Sequence, residues 1–273
     1  MGEDSATAMY RTRTDALTTD VGEGRPVVFA HGTLMDRTMF APQLEALRDE
    51  YRAVAYDLRA RTDRYASDYD LWDLTDDCAA LLDGIGEDSA VIVGMSMGGF
   101  MGLRFALRYP ERVNGLVLID SMATPHPAEQ REAYADLVAP FEGMHDPTPR
   151  EIAEGSTAEL FGETTHEENP ELIETWVDRW ATYPGAAVHN ELHSWLGRED
   201  VTDRLSEIDV PTLIIHGEED PSIAPSQAEP MLEELPDAEM EVIPEAGHTS
   251  NLERPEPVIE AIRTFLDERF RPA

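Results

Sequence analysis

The sequence contains no lysine and only one cysteine, and no apolar run approaches the ~20 residues of a membrane helix. A single cysteine excludes a disulfide framework within the chain and a cysteine-ligated metal site. The first 15 residues lack the apolar stretch of a signal peptide. Together these absences predict a cytoplasmic protein without a membrane partner. Cys78 falls in a helical pattern with apolar neighbours, so we expect a small buried side chain there, not a reactive thiol.

Positive charge is also scarce. The chain has 56 acidic and 21 basic residues, all of the latter arginine, and a formal net charge of −35 at pH 7. This charge repels phosphate, which argues against nucleic acid or an anionic membrane as a partner. Diffuse acidity without lysine is typical of proteins from salt-accumulating halophiles, where strong salt screens repulsion to a Debye length of ~3 Å at 1 M. We therefore predict a halophilic source and a salt-dependent fold.

What the chain does contain is enough apolar residues, 41% of 273, to bury a core. Short runs rich in Val, Ile and Leu alternate with amphipathic helical stretches, which is the pattern of a mainly parallel sheet flanked by helices. A polar strand pair in residues 9–25, turning near Asp15, adds an antiparallel edge. The prediction is an α/β fold with an eight-stranded sheet. The six apolar runs are 27–32, 53–57, 90–96, 115–120, 212–217 and 240–244.

One long segment interrupts the alternation of strands and helices. Between the sixth and seventh predicted strands there are four helical patterns, at 128–139, 149–161, 170–182 and 185–196, and no strand. Such an insertion cannot extend the sheet, so we expect it to cover the edge where open α/β folds bind ligands. The predicted organisation is a core of residues 1–121 and 206–273 with a helical cap of residues 122–205.

The clearest candidate for a catalytic motif is Gly94-Met95-Ser96-Met97-Gly98, which lies between a predicted buried strand and a predicted helix. This is the context of a G-x-S-x-G nucleophile elbow, in which serine occupies a strained turn between glycines. The helix that follows directs its free N–H groups and positive dipole end at the reacting carbonyl. Ser96 is therefore the candidate nucleophile, and the amide of Met97 is a candidate oxyanion donor.

Serine needs a base that a carboxylate orients. Asp220 follows the strand TLIIHG, and His248 follows MEVIP. Each candidate therefore lies at the carboxyl end of a strand, on the same sheet edge as Ser96. Their chain order, serine then acid then histidine, is that of the elbow-type hydrolases.

Four segments together resemble the α/β-hydrolase fold superfamily over nearly the whole chain. They are GEGRPVVFAHGTL, GMSMGGFMGLRFALRYPERVNGLVLID, PTLIIHGEEDPSIAP and IPEAGHTSNLERPEPV. The resemblance implies that Ser96 is the nucleophile, Asp220 the acid and His248 the base. It also implies that the backbone amide of Thr33, just after His31-Gly32, is the second oxyanion donor, and that His31 braces this loop.

Other acidic and histidine residues are weaker candidates. Asp120 occupies an alternative acid position after its strand, and Glu218 and Glu219 adjoin Asp220. His189 and His193 share a helix face, but the glutamate between them is misplaced for a zinc-protease motif. We expect no metal and no cofactor.

The resemblance fails at one loop. Relatives follow the strand ending at Asp57 with a glycine-rich loop, whereas this chain has Arg59, Arg61 and Arg64 without glycine. Two interpretations remain for these arginines, namely binding a substrate carboxylate and forming ion pairs with nearby acids.

The predicted function is hydrolysis of small carboxylic esters or lactones through an acyl-enzyme, since a serine at the elbow excludes reactions that need a carboxylate nucleophile. Within the superfamily the chain looks most similar to the capped carboxylesterase and 3-oxoadipate enol-lactonase-like branch. The alternatives are a C–C bond hydrolase or cofactor-free perhydrolase with the same triad, and a small-molecule receptor that keeps the triad. The oligomeric state is predicted only as monomer or homodimer.

Overall fold

The structure, a computed structural model, describes residues 17–270 of the 273-residue chain. Seven strands form one sheet in the order β1-β3-β2-β4-β5-β6-β7. Strand β1 is antiparallel to β3, and all other neighbouring pairs are parallel. The strands are β1 Thr18–Val21, β2 Pro26–Ala30, β3 Arg52–Tyr56, β4 Ala90–Met95, β5 Val113–Ile119, β6 Thr212–Gly217 and β7 Ala238–Ile243.

The predicted parallel sheet flanked by helices is confirmed, and the physical reason lies in burial. Every residue of β2, β4 and β6 is buried, which explains why these strands are continuous apolar runs without alternation. The edge strand β7 is less buried, with Glu239, Glu241 and Val242 exposed. Strands β5 and β7 each begin two residues before their predicted starts.

The sheet has one strand fewer than the eight predicted, counted over residues 17–270. Strand β1 is the second member of the predicted polar pair. The first member and the turn near Asp15 lie outside the described residues.

The described part of the chain also contains twelve α-helices and six short 3-10 helices. The α-helices are α1 Ala41–Leu47, α2 Leu71–Ile85, α3 Met97–Arg108, α4 Ala128–Val138, α5 Arg150–Gly155, α6 Thr157–Leu160, α7 Glu163–Glu168, α8 Pro170–Trp180, α9 Gly185–Leu196, α10 Glu229–Glu234, α11 Ser250–Glu253 and α12 Pro255–Phe270. Helix α10 begins at Glu229 with Pro230 in its first turn, where the missing amide hydrogen costs no hydrogen bond within the helix.

The segment between β5 and β6 contains six α-helices, α4 to α9, and not the four predicted, together with two short 3-10 helices, Ala139–Phe141 and Thr202–Glu207. The pattern at 149–161 is broken where α5 ends at Gly155 and α6 begins at Thr157, since glycine is a poor helix former. Helix α7 was not predicted, because its sequence ETTHEE has no apolar period.

Two expectations drawn from the sequence can be compared with the structure, namely the burial of the single cysteine and the lack of a long apolar helix. Cys78 is fully buried in α2, and burial raises the pKa of its thiol to about 12, so it is an unreactive core residue. No helix within residues 17–270 is long and apolar enough to span a membrane.

Candidate active site

Ser96 occupies a strained turn between β4 and α3. Its φ of 49° and ψ of −113° are unfavourable for a residue with a side chain, and its amide donates to the carbonyl of Ile119 at 2.8 Å. Glycine is required on both sides. A Cβ on Gly94 would lie 2.2 Å from the Gly98 carbonyl oxygen, and one on Gly98 would lie 2.1 Å from that of Ala30. The close approach of β2, β4 and α3 therefore determines the G-x-S-x-G pattern.

The structure brings Ser96, His248 and Asp220 together. The Nε2 atom of His248 lies 2.9 Å from Ser96 Oγ, and its Nδ1 atom lies 2.8 Å from Asp220 Oδ2. All three side chains are buried. With the Nδ1 hydrogen donated to Asp220, Nε2 is left to accept the hydroxyl proton of Ser96.

Asp220 is held as a carboxylate by several donors. Its Oδ1 accepts from the amides of Ser222 and Ile223, both at 2.9 Å, and the Nε2 atom of His216 lies 3.2 Å from its Oδ2. Burial raises the pKa of Asp220, but His248 and His216 outweigh it and lower the pKa to about 2. The acid is therefore ionised throughout the ordinary pH range.

The same contact acts on His248 in the opposite direction. Burial disfavours the imidazolium, yet the neighbouring Asp220 carboxylate prevails and raises the pKa of His248 above its ordinary value. A raised pKa makes the imidazole a stronger base, and it also means that the neutral form is lost earlier as the pH falls.

The backbone amides of Thr33 and Met97 are the predicted oxyanion donors. Met97 is the first residue of α3, and Thr33 follows β2 in a loop whose next residue, Leu34, has a φ of 65°. Within residues 17–270 neither amide has a hydrogen-bond acceptor, so both are available to a ligand oxygen. Thr33 and Ser96 line the same cavity.

His31 braces the loop that carries Thr33. Its Nε2 accepts from the amide of Leu58 at 3.0 Å, and its Nδ1–H donates to the carbonyl of Gly32 at 2.9 Å. Burial, with the nearby Arg61, lowers the pKa of His31 to about 3, so the ring is neutral. Both nitrogens have partners, which agrees with the bracing interpretation.

The alternative acids have other contacts. Asp120 accepts from the amide of Gly217 at 2.8 Å and from the amide and hydroxyl of Ser250 at 2.9 and 2.7 Å. It thereby joins the end of β6 to the first residue of α11. Glu219 accepts from the amide and hydroxyl of Thr164, and Glu218 is exposed.

One buried cluster within the described residues has the composition of a metal site, namely Asp120, His216 and Asp220. The carboxylate of Asp120 accepts from two amides and a hydroxyl, and that of Asp220 accepts from two amides and from His248 Nδ1. A cation would have to displace these donors, so the cluster is built as a hydrogen-bond network. The rings of His189 and His193 contact each other, with centroids 4.3 Å apart and planes tilted by 40°.

The three arginines after Asp57 form ion pairs. Arg59 and Arg64 both contact Asp77, and Arg61 contacts Glu191 of α9 at 2.8 Å. Of the two interpretations left open by the sequence, the ion pairs agree with the structure.

Glu253 is a residue of this site that the sequence did not single out. Its Oε2 accepts from the amides of Gly247 and Gly162, at 3.0 and 2.8 Å, and its Oε1 accepts from the amide and hydroxyl of Thr249. The amides on both sides of His248 are thus held by one carboxylate. The position of Glu253 along the chain does not distinguish it from the many other acidic residues. Its place in the segment HTSNLERPE is the only feature of the sequence that could have pointed to it.

A cavity of about 230 Å³ opens beside Ser96 and His248. Its wall is mainly apolar and includes Leu160, Val188 and Trp195 from the helices between β5 and β6. The nucleophile therefore faces a small, largely apolar space that residues far apart in sequence enclose.

Comparisons with known proteins agree with this architecture. The model of the alpha/beta hydrolase fold family matches residues 25–255. The chain is 28% identical to 3-oxoadipate enol-lactonase 1 of Acinetobacter baylyi over 241 residues, 88% of each chain. Among solved structures, a thermophilic esterase from Thermogutta terrifontis, with malate bound, has a TM-score of 0.87 at 33% identity over 93% of both chains. The enol-lactonase from Burkholderia xenovorans LB400 has a TM-score of 0.82 at 25% identity, covering 91% of this chain and 95% of its own.

The family match covers far more than half of the sequence, and the matched residues 25–255 include strands β2 to β7. The chain belongs to the α/β-hydrolase fold family.

Proposed function

We propose that this protein is a serine hydrolase that cleaves small carboxylic esters or lactones through an acyl-enzyme. The observation that carries the proposal is the hydrogen-bond chain from Ser96 Oγ to His248 Nε2, 2.9 Å, and from His248 Nδ1 to Asp220 Oδ2, 2.8 Å. Similarity to an esterase and to enol-lactonases supports carboxylic esters and lactones as the substrate class.

In the acylation step Ser96 Oγ attacks the carbonyl carbon while His248 Nε2 takes the hydroxyl proton. The amides of Thr33 and Met97 donate to the oxyanion that forms, and each such donor contributes about 3–4 kcal/mol in comparable sites. His248 then gives its proton to the leaving alkoxide. In a lactone the leaving oxygen remains attached to the acyl group.

In the deacylation step His248 takes a proton from water, and the resulting hydroxide attacks the ester carbon of the acyl-enzyme. Collapse of the second tetrahedral intermediate releases the carboxylic acid and returns the proton to Ser96. Asp220 stays ionised throughout and stabilises the imidazolium, as its pKa of about 2 requires. The cycle needs no cofactor.

We further infer that residues 122–205 act as a cap over a core formed by 1–121 and 206–273. Three residues of α6 and α9, Leu160, Val188 and Trp195, line the cavity that contains Ser96. The cap is tied to the core by the hydrogen bonds from Gly162 to Glu253 and from Thr164 to Glu219. The volume of about 230 Å³ favours short acyl groups.

The test is hydrolysis of p-nitrophenyl acetate and butyrate at molar KCl by the wild-type protein and by Ser96→Ala. Activity is expected for the wild type and is expected to be lost in the variant. Ser89→Ala is the matched control, because Ser89 lies at the opposite end of β4, where its hydroxyl contacts Asn114. A phosphonate that reacts with activated serines should add one adduct at Ser96, as found by peptide mass spectrometry.

A wild-type protein that is inert towards both esters and the phosphonate under salt would refute the proposal. It would leave the receptor hypothesis in place. Equal activity in Ser96→Ala and wild type would refute the assignment of the nucleophile.

A further inference from the structure

The wall of the active-site cavity contains a histidine whose environment is unlike that of the apolar residues around it. His126 lies in the loop after β5 and lines the cavity together with Ser96 and His248. Its ring is packed against Trp195, Tyr134 and Phe100, with centroid separations of 5.1, 5.9 and 6.3 Å. These three aromatic contacts fix the ring plane.

Behind His126 lies Arg198, a buried cation without a carboxylate partner among the described residues. Its guanidinium donates to the carbonyls of Trp195 and Thr124, at 3.2 and 2.7 Å, and to Nδ1 of His126 at 3.1 Å. It also lies over the ring of Phe100, 3.9 Å from the centroid. The other buried arginine side chains pair with acids, namely Arg59 with Asp77, Arg61 with Glu191 and Arg104 with Glu199.

The lack of a carboxylate partner for Arg198 among the described residues matters, because a buried charge is costly unless it is paired with an opposite charge. Burial, with the nearby Arg104 and Arg131, lowers the pKa of Arg198 to about 9. The guanidinium is still cationic at neutral pH. In a chain with a net charge of −35, it is a buried positive charge without a carboxylate partner among the described residues, in contact with a histidine of the cavity wall.

Arg198 also determines the tautomer of His126. A guanidinium can only donate hydrogen bonds, so Nδ1 must be the acceptor and the ring hydrogen must be on Nε2. Burial and the charge of Arg198 lower the pKa of His126 to about 3, which keeps the ring neutral. No acceptor for Nε2–H is found within residues 17–270, and its side chain borders the cavity.

We propose that His126 Nε2–H, polarised by Arg198, is a substrate-binding donor that selects esters or lactones carrying a second, anionic oxygen group such as a carboxylate. The histidine supplies the direct hydrogen bond, and Arg198 supplies the countercharge through it. The inference rests on the proposed ester or lactone hydrolase, since it concerns the same cavity. It names two specificity residues that take no part in the proton transfers of the triad.

The test measures binding separately from catalysis. Succinate and its uncharged diamide, succinamide, are titrated by calorimetry into the Ser96→Ala protein at one fixed KCl concentration. We expect succinate to bind at least tenfold more tightly than succinamide. Adding His126→Phe, which keeps an aromatic ring but removes the donor, should reduce this preference at least tenfold. Arg198→Met should do the same, because it removes the countercharge and frees the tautomer.

His189→Phe is the matched control, since His189 lies on α9 but does not line the cavity, and it should leave the preference unchanged. If Arg198→Met does not fold, as judged by thermal unfolding, His126→Phe decides alone. Equal binding of succinate and succinamide, or a preference that survives His126→Phe, would overturn the proposal. Binding in the Ser96→Ala background does not depend on turnover, so loss of this selectivity and absence of esterase activity are separate results.

Discussion

The contact between Glu191 of α9 and the loop carrying Thr33 should control both stability and rate. Glu191 Oε2 accepts from Arg61 at 2.8 Å and from the amide of Leu34 at 3.0 Å, with side-chain exposures of 0% and 4% for the two charged residues. Leu34 is held at a φ of 65°, which costs about 1–3 kcal/mol and persists only where surrounding contacts impose it. Glu191→Ala removes these contacts at once.

The magnitude follows from burial. Removing one partner of a buried ion pair leaves an uncompensated charge and costs about 3–5 kcal/mol. We therefore expect Glu191→Ala to lower the free energy of unfolding by that amount. Relaxation of Leu34 should also displace the Thr33 amide and reduce kcat by about 10–100-fold, less than the roughly 10²–10³-fold loss expected when an oxyanion donor is removed outright.

The assay is urea unfolding followed by circular dichroism, with p-nitrophenyl acetate hydrolysis, both at molar KCl. The double variant Arg61→Met/Glu191→Leu separates the two effects, because replacing a whole buried pair by apolar residues restores stability. It does not restore the Leu34 hydrogen bond, so kcat should stay low.

Glu207→Ala is the control. It breaks the exposed pair between Arg204 and Glu207, and both stability and kcat should be unchanged. The reasoning is refuted if Glu191→Ala costs less than about 1 kcal/mol, the range of exposed pairs. Full recovery of kcat in the double variant would show that the Leu34 contact does not position the oxyanion loop.

Two further predictions concern pH and salt. Because Asp220 raises the pKa of His248, activity should fall as the pH drops through that raised value, which gives the pH profile an acid limb. Asp220→Asn should move this acid limb to lower pH and reduce kcat by about 10⁴-fold. An unmoved acid limb in the pH profile of kcat/KM would contradict it. Reducing KCl from 2 M to 0.1 M lengthens screening to about 10 Å. The resulting repulsion should lower the thermal midpoint by about 10 °C, equivalent to roughly 5–6 kcal/mol at this chain length. An unchanged midpoint would remove the halophile hypothesis.

The positions of Ser96, Asp220 and His248 could be predicted from the sequence because each follows a strand. Parallel strands bring their carboxyl ends to one edge, so the β–α alternation alone places these residues near one another. The role of the glycines around Ser96 could be predicted for a similar reason, since the tight strand-to-helix turn is a local constraint.

The residues that hold the site were not predictable in this way. Glu253, Glu191 and Arg198 act through contacts with backbone groups or side chains distant in sequence, and each has an ordinary helical or loop context. The six α-helices between β5 and β6 were also only partly foreseen, because contacts distant in sequence, such as those of Thr164 with Glu219, stabilise short helices such as α7 that lack an apolar period.

The acids of this chain fall into two populations with different tolerance for engineering. Most are exposed, and their contribution is collective, so a variant adapted to dilute buffer could exchange many of them for glutamine or lysine. A small set instead accepts hydrogen bonds from backbone amides where the inserted helices meet the sheet edge. Glu191 accepts from Leu34, Glu219 from Thr164 and Glu253 from Gly162. A charge-reduction library should leave these three fixed, because each is the acceptor that a buried or half-buried N–H would otherwise lack.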